Sequence, residues 1–185
     1  MPCHLVLHSE CVEDTVSIGT AVARVTGSGD LIGLIGDLGA GKTQFVRGLA
    51  QGLGIPARQV SSPTFVFLQE YEPAEQVGVT HVGEDGRSGA LVLAHVDAYR
   101  LSGPDELSSI GWEGQGQELR EGSVLAVEWA DRILPALGDD WLEVRIVHGD
   151  EKRDITLTGH GGWQDRMPVL RDVLQNYLRT EQEQV

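Results

Sequence analysis

Leu31-Ile32-Gly33-Leu34-Ile35-Gly36-Asp37-Leu38-Gly39-Ala40-Gly41-Lys42-Thr43 is the stretch on which the reading of this chain turns. Leu31 to Ile35 form an apolar run suited to a parallel strand buried on both faces. Gly36 to Thr43 match the phosphate-loop pattern G-x-x-x-x-G-K-[ST] at every fixed position. Gln44-Phe45-Val46-Arg47-Gly48-Leu49-Ala50-Gln51 follows with a helical pattern, closed by Gly52 and Gly54. Strand, glycine loop and helix in that order are the context such a loop requires.

The spacing has a direct chemical reason. Gly36, Gly39 and Gly41 let the backbone turn so that successive amide N–H groups point inward. With the positive end of the following helix they form a nest for a diphosphate. The whole loop, including Asp37, Leu38 and Ala40, is therefore the expected ATP/ADP-binding segment. Lys42 would reach the β and γ phosphates, and the Thr43 hydroxyl would hold Mg²⁺. The chain has only two lysines, Lys42 and Lys152, and one stands where the motif demands it. The competing reading is a glycine-rich turn before an ordinary helix.

Composition narrows the remaining choices. A chain of 185 residues is long enough for one domain with a sizeable core. The net charge of −14 repels nucleic acid phosphate, so strong direct RNA or DNA binding is not expected. Cys3 and Cys11 are too few for a disulfide framework. No signal-peptide pattern and no membrane-spanning stretch is visible, so a cytoplasmic location is expected.

Outward from the loop, His4 to His8 reads as a short strand. A helix begins between Ser9 and Asp14 and runs to about Val25, with Val12, Val16, Gly19 and Ala23 on one face. Val60-Ser61-Ser62-Pro63-Thr64 is a polar turn entering a strand over Phe65 to Tyr71. Such a Ser/Thr-bearing loop after the first helix can also sense a γ-phosphate. Pro73 to Gly89 is a long acidic connection, read as a hairpin tip or an insertion. Asp105 to Ile110 reads as a short helix and Gly111 to Gly122 as irregular surface.

Leu91 to Asp97 and Val124 to Glu128 are apolar runs that each end in an acid. Carboxylates at the ends of buried strands beside a phosphate loop are what Mg·ATP chemistry requires. Either could hold Mg²⁺, usually through water, while the other orients an attacking water. The plainer reading is a strand-end acid that faces solvent or caps the next helix. Trp129 to Leu134 reads as a helical turn stopped by Pro135. Trp141 to Val147 and Lys152 to Thr158 pair as a hairpin around Gly149-Asp150. Val169, Leu170, Val173, Leu174, Tyr177 and Leu178 suggest one face of a C-terminal helix over about 163–180, and the tail from Thr180 should fray.

Taken together these residues resemble the TsaE (YjeE) family. The resemblance rests on the phosphate loop, Ser-Pro-Thr at 62–64, His-Val-Asp-Ala-Tyr-Arg-Leu at 95–101 and Val-Glu-Trp-Ala-Asp at 127–131. It implies a P-loop α/β fold: a central mixed and parallel sheet flanked by helices, with a C-terminal antiparallel hairpin. It implies one ATPase domain over 1–185, with a core at about 4–159. It further implies that Lys42 and Thr43 hold Mg·ATP, that Glu128 contributes to the Mg²⁺ site and that Asp97 is needed for hydrolysis. Trp129 is then expected near the nucleotide and Thr64 at a switch-like position. Thr15 and Arg153 take places where the family contacts adenine or ribose. The implied role is hydrolysis, slow alone and stimulated by partners, in support of tRNA threonylcarbamoyladenosine modification by TsaB and TsaD. Gln44 and the length of the 73–89 connection depart from the family pattern, and nothing beyond Gly159 matches it.

Other reaction classes remain comparable. A small-molecule or nucleoside kinase would need an acceptor pocket and mobile basic residues, for which Arg100 and Arg132 are the candidates. A nucleotide-controlled binding module would keep Lys42 and Thr43 without needing both acids. A guanine-specific Asn-Lys-x-Asp segment is missing, since the only asparagine is Asn176.

Overall fold

The computed structural model describes residues 4–63, 68–73, 81–82, 88–89, 91–101, 123–149 and 152–179. Thr64, the expected strand start at 65–67, most of the 73–89 connection, the 102–122 segment, Asp150 and the tail from Thr180 lie outside the described residues. In chain order the strands are β1 (His4–Ser9), β2 (Leu31–Ile35), β3 (Leu68–Tyr71), β4 (His81–Val82), β5 (Ser88–Gly89), β6 (Val92–Asp97), β7 (Ser123–Glu128), β8 (Leu142–His148) and β9 (Arg153–Gly159). The helices are α1 (Val12–Ala23), α2 (Lys42–Gly52), α3 (Leu134–Leu137) and α4 (Trp163–Val173).

Seven strands form one sheet in the order β1-β9-β8-β2-β7-β6-β3. β8, β2, β7 and β6 run parallel; β9 pairs antiparallel with β8, and the edge strands β1 and β3 pair antiparallel with β9 and β6. This is the expected mixed sheet with its C-terminal hairpin, β8–β9, closed by Gly149 N–H donating to the Lys152 carbonyl at 2.8 Å. β4 and β5 pair antiparallel, as arms of a hairpin would. Among the described residues no helix is long and apolar enough to cross a membrane.

The sheet is covered on both faces, which explains its unbroken apolar strands. Side chains alternate across a strand. Val124 and Ala126 of β7 pack with Ile18, Val22, Phe45 and Leu49 from α1 and α2. Leu125 and Val127 point the other way, against Ala130, Ile133 and Leu137. By the same alternation Asp97 and Glu128 point to the face on which α2 lies. α1 and α2 touch backbone to backbone. A Cβ on Gly48 would fall 2.1 Å from the Val16 carbonyl oxygen, and one on Gly19 would fall 2.4 Å from that of Phe45.

Three local expectations need correction. α1 starts at Val12, ends at Ala23 and buries Gly19 and Ala23 as expected, but also Thr15, Ile18 and Val22, while Val12 is 39% exposed. The valines misled because a buried threonine was not anticipated. The Thr15 hydroxyl turns inward at no cost, since it meets Ser9 Oγ at 2.7 Å. The helical turn expected after Trp129 is present as a 3₁₀ turn at Ala130–Arg132, but Pro135 does not stop it; it opens α3, where its missing N–H is no loss. The C-terminal helix ends at Val173 and tightens into a 3₁₀ turn at Gln175–Tyr177. Its buried stripe is Trp163, Met167, Leu170 and Leu174, leaving Val169 half exposed. Leaving Trp163 and Met167 out of the face rotated the expected stripe.

Candidate active site

Strand β2 delivers the glycine loop to the carboxyl end of the parallel strands, where open α/β sheets place their ligands. Gly41 caps α2 at φ 114°, a conformation that side chains rarely adopt. The amides of the first turn of α2 have no carbonyl within the helix to bond, and the helix dipole makes this end positive. Lys42 is buried at 4% exposure. Its ammonium donates to the Gly36 carbonyl at 2.6 Å and to the Asp37 carbonyl at 2.8 Å. Burial pushes the Lys42 pKa below the ordinary lysine range, opposed by the charges of Glu128, Asp97, Asp131 and Asp37.

The two acids are neighbours. β6 and β7 are parallel, and Asp97 is the residue paired with Glu128. Thr43 Oγ1 donates to Glu128 Oε1 at 2.7 Å, so the first turn of α2 is tied to the end of β7. Asp97 Oδ1 accepts the Tyr99 N–H at 2.9 Å, and its Oδ2 accepts the Ser62 hydroxyl at 3.4 Å. The chain leaves β7 through Trp129 at φ 59°, the one described non-glycine residue with positive φ. A tryptophan in that conformation is strained by about 1–2 kcal/mol, and such strain gathers at functional sites. The turn lays the indole over Lys42, with Nζ 3.8 Å from the ring centroid.

These groups line one cavity of about 430 Å³. Its wall includes Leu38, Gly39, Gly41, Lys42 and Thr43 from the loop, Asp97 and Glu128 from the strand ends, and Ser62, Tyr99, Trp129 and Arg153 around them. Gly39 faces open space, with no atom within 4 Å of where its Cβ would stand. The oxygen donors suit a hard cation. Among the described residues no group of three or more His, Cys, Asp or Glu could hold a metal. Thr43 and Glu128, with Asp97 beside them, are oxygen donors that could hold Mg²⁺, an ion that takes one or two carboxylates and completes its shell with water and substrate phosphate.

Comparison with known proteins gives this geometry a family. The family described as "Threonylcarbamoyl adenosine biosynthesis protein TsaE" matches residues 9–155. The chain belongs to the TsaE family. A Bacillus subtilis relative named "tRNA threonylcarbamoyladenosine biosynthesis protein TsaE" is 38% identical over 154 residues, covering 80% of this chain and 82% of the relative. One of the same name from Streptomyces coelicolor is 38% identical over 150 residues, covering 78% and 89%. The crystal structure of Bacillus subtilis YdiB superposes with a TM-score of 0.63 at 32% identity, covering 94% of this chain and 95% of that one. TsaE proteins serve tRNA threonylcarbamoyladenosine biosynthesis.

Apart from Thr64, which lies outside the described residues, the residues expected at the site fall into three groups. Gly39, Gly41, Lys42, Thr43, Leu38, Asp97, Glu128, Trp129 and Arg153 line the cavity. Gly36, Asp37 and Ala40 frame it from behind: the first two through the carbonyls that hold Lys42, Ala40 through the carbonyl that accepts Arg153 Nε–H at 3.1 Å. Thr15 is fully buried beneath Gly41 with its hydroxyl against Ser9, and it does not line the cavity. Five residues were missed as site residues: Val12, Gln44, Ser62 and Tyr99 line the cavity, and His95 stands beside Glu128. Ser62 and Tyr99 stand inside the Ser-Pro-Thr and His-Val-Asp-Ala-Tyr-Arg-Leu blocks, but neither side chain was assigned a role of its own. His95, whose Nε2 lies 3.0 Å from Glu128 Oε1, was legible as the residue two before Asp97 on the same strand face.

The Trp129 placement yields a test. A variant keeping Trp129 alone, with Trp112, Trp141 and Trp163 changed to phenylalanine, should change its emission on addition of ADP. Trp163 is a core residue, so Trp129→Phe in the otherwise intact chain is the control and should lose the response. Unchanged emission in the first variant, or an unchanged response in the second, would remove the indole from the nucleotide.

Proposed function

We propose that this TsaE-family chain binds Mg·ATP and hydrolyses its γ-phosphate in the cytoplasm, supporting threonylcarbamoyladenosine modification of tRNA by a TsaB–TsaD complex. One observation carries the reading. Thr43 Oγ1 and Glu128 Oε1 lie 2.7 Å apart at the mouth of the phosphate loop, with Asp97 paired beside Glu128. A loop that only bound phosphate would not need two nearly inaccessible carboxylates, each costly to bury.

Thr43 and Glu128 would hold Mg²⁺, which when bound offsets the negative charge of the phosphate oxygens. The remaining work falls to the chain. Phosphoryl transfer needs alignment and charge neutralisation. The loop amides and Lys42 supply neutralisation, with Lys42 exchanging the Gly36 and Asp37 carbonyls for phosphate oxygens. Asp97, held by Tyr99 N–H and Ser62, orients the attacking water. Adenine and ribose extend toward Arg153.

A kinase is less well supported. Arg132 donates to the Leu101 carbonyl at 3.2 Å and lies 5.2 Å from the Tyr99 ring centroid, which occupies it locally. Reconstitution of tRNA modification with TsaB, TsaD and the enzyme that forms threonylcarbamoyl-adenylate tests the proposal. Omitting this chain should stop repeated turnover, and ATP hydrolysis should rise when TsaB and TsaD are added. Undiminished turnover without it, or a phosphorylated small molecule formed from ATP, would overturn the reading.

A further inference from the structure

We infer that His95 is a positioning residue: it fixes the Glu128 carboxylate so that one oxygen stays free for the metal or its water. The inference rests on the reading of Glu128 as part of a Mg·ATP site. His95 is 0% exposed, and its Nε2 lies 3.0 Å from Glu128 Oε1. That same oxygen accepts the Thr43 hydroxyl at 2.7 Å. An ionised carboxylate only accepts hydrogen bonds, so the imidazole proton must sit on Nε2. Two donors on Oε1 fix the rotation of the carboxylate and leave Oε2 as the oxygen for the cation side.

The other half of the ring argues the same way. Nδ1 is buried and has no hydrogen-bond partner among the described residues. Leaving a buried acceptor unpaired is costly, and an apolar side chain would avoid that cost. The packing does not ask for an imidazole. Leu93 occupies the same face of β6, and the Tyr71 ring is tilted at a centroid distance of 6.4 Å from the imidazole. The residue paired across from His95 is Ala126, small enough to let the ring lean along β7 to Glu128. The polar bond that repays the unpaired nitrogen is therefore the one to Glu128. Histidines behind a metal-binding group orient it in this manner.

The test is a Mg²⁺ titration of the protein at saturating ADP, read by calorimetry, beside ATP turnover and the unfolding temperature without nucleotide. His95→Leu should raise the Mg²⁺ needed for half-saturation by about 10- to 100-fold without lowering the unfolding temperature. His95→Gln carries an N–H at a similar reach and should recover most of the loss; His95→Asn is too short and should not. A His95→Leu protein with the wild-type Mg²⁺ requirement overturns the inference. If that variant fails to fold, equal behaviour of the Gln and Asn variants overturns it instead. Nitrogen-15 NMR of the nucleotide-free protein should find the His95 proton on Nε2, and a proton on Nδ1 alone would also overturn it. Wild-type protein that neither takes up Mg²⁺ with ADP nor turns over ATP would sink the Mg·ATP reading itself.

Discussion

Lys42→Ala should weaken ADP binding by about 10- to 100-fold, the range expected when hydrogen bonds to a charged partner are lost. Calorimetric titration with magnesium present reads the loss. The expectation follows from what surrounds the ammonium. Lys42 is nearly inaccessible, capped by the Trp129 indole and held by two carbonyls of its own loop. A buried lysine facing two carboxylates and two carbonyls has a surplus of acceptors, so its place is not explained by solvation. Removing it frees the Gly36 and Asp37 carbonyls, and a circular dichroism spectrum should confirm that the sheet and helices persist. A folded Lys42→Ala protein with unchanged ADP affinity would show that Lys42 and its loop do not hold the nucleotide phosphates.

Asp97→Ala should separate binding from turnover. Phosphate-loop amides, Lys42 and Thr43 remain in place, so ADP affinity should stay close to that of the parent. Hydrolysis should fall by about 10²- to 10⁴-fold, the usual contribution of a positioned acid or base. Asp97→Asn keeps an acceptor for the Tyr99 N–H and guards against a purely structural loss. If both variants hydrolyse ATP at the parental rate in the presence of TsaB and TsaD, Asp97 has no part in orienting water. If both lose ADP binding as well, the residue belongs to the binding surface instead.

The parts of this molecule that were legible in sequence are those governed by neighbours in the chain. β2 at Leu31–Ile35 was bounded to the residue because an apolar run met a glycine loop. The helix after it ended where Gly52 and Gly54 said it would. Pro135 shows the limit even of local rules: proline both ends helices and begins them, and only the burial of Ile133 and Leu137 selects the second role. Thr15 shows another. Its polarity hid an inward-facing position that Ser9 makes tolerable.

By itself, the sequence determined that a strand, a glycine-rich turn of the phosphate-loop pattern and a helix follow one another, and that two further buried strands end in carboxylates. Those are consequences of short-range sterics, burial and glycine freedom. Only the tertiary structure decided that β6 lies directly beside β7, that Asp97 faces Glu128, and that Thr43 and His95 meet on one oxygen of that glutamate. Strand order and the sidedness of each residue depend on how helices pack across the whole sheet, and no window of neighbouring residues contains that information.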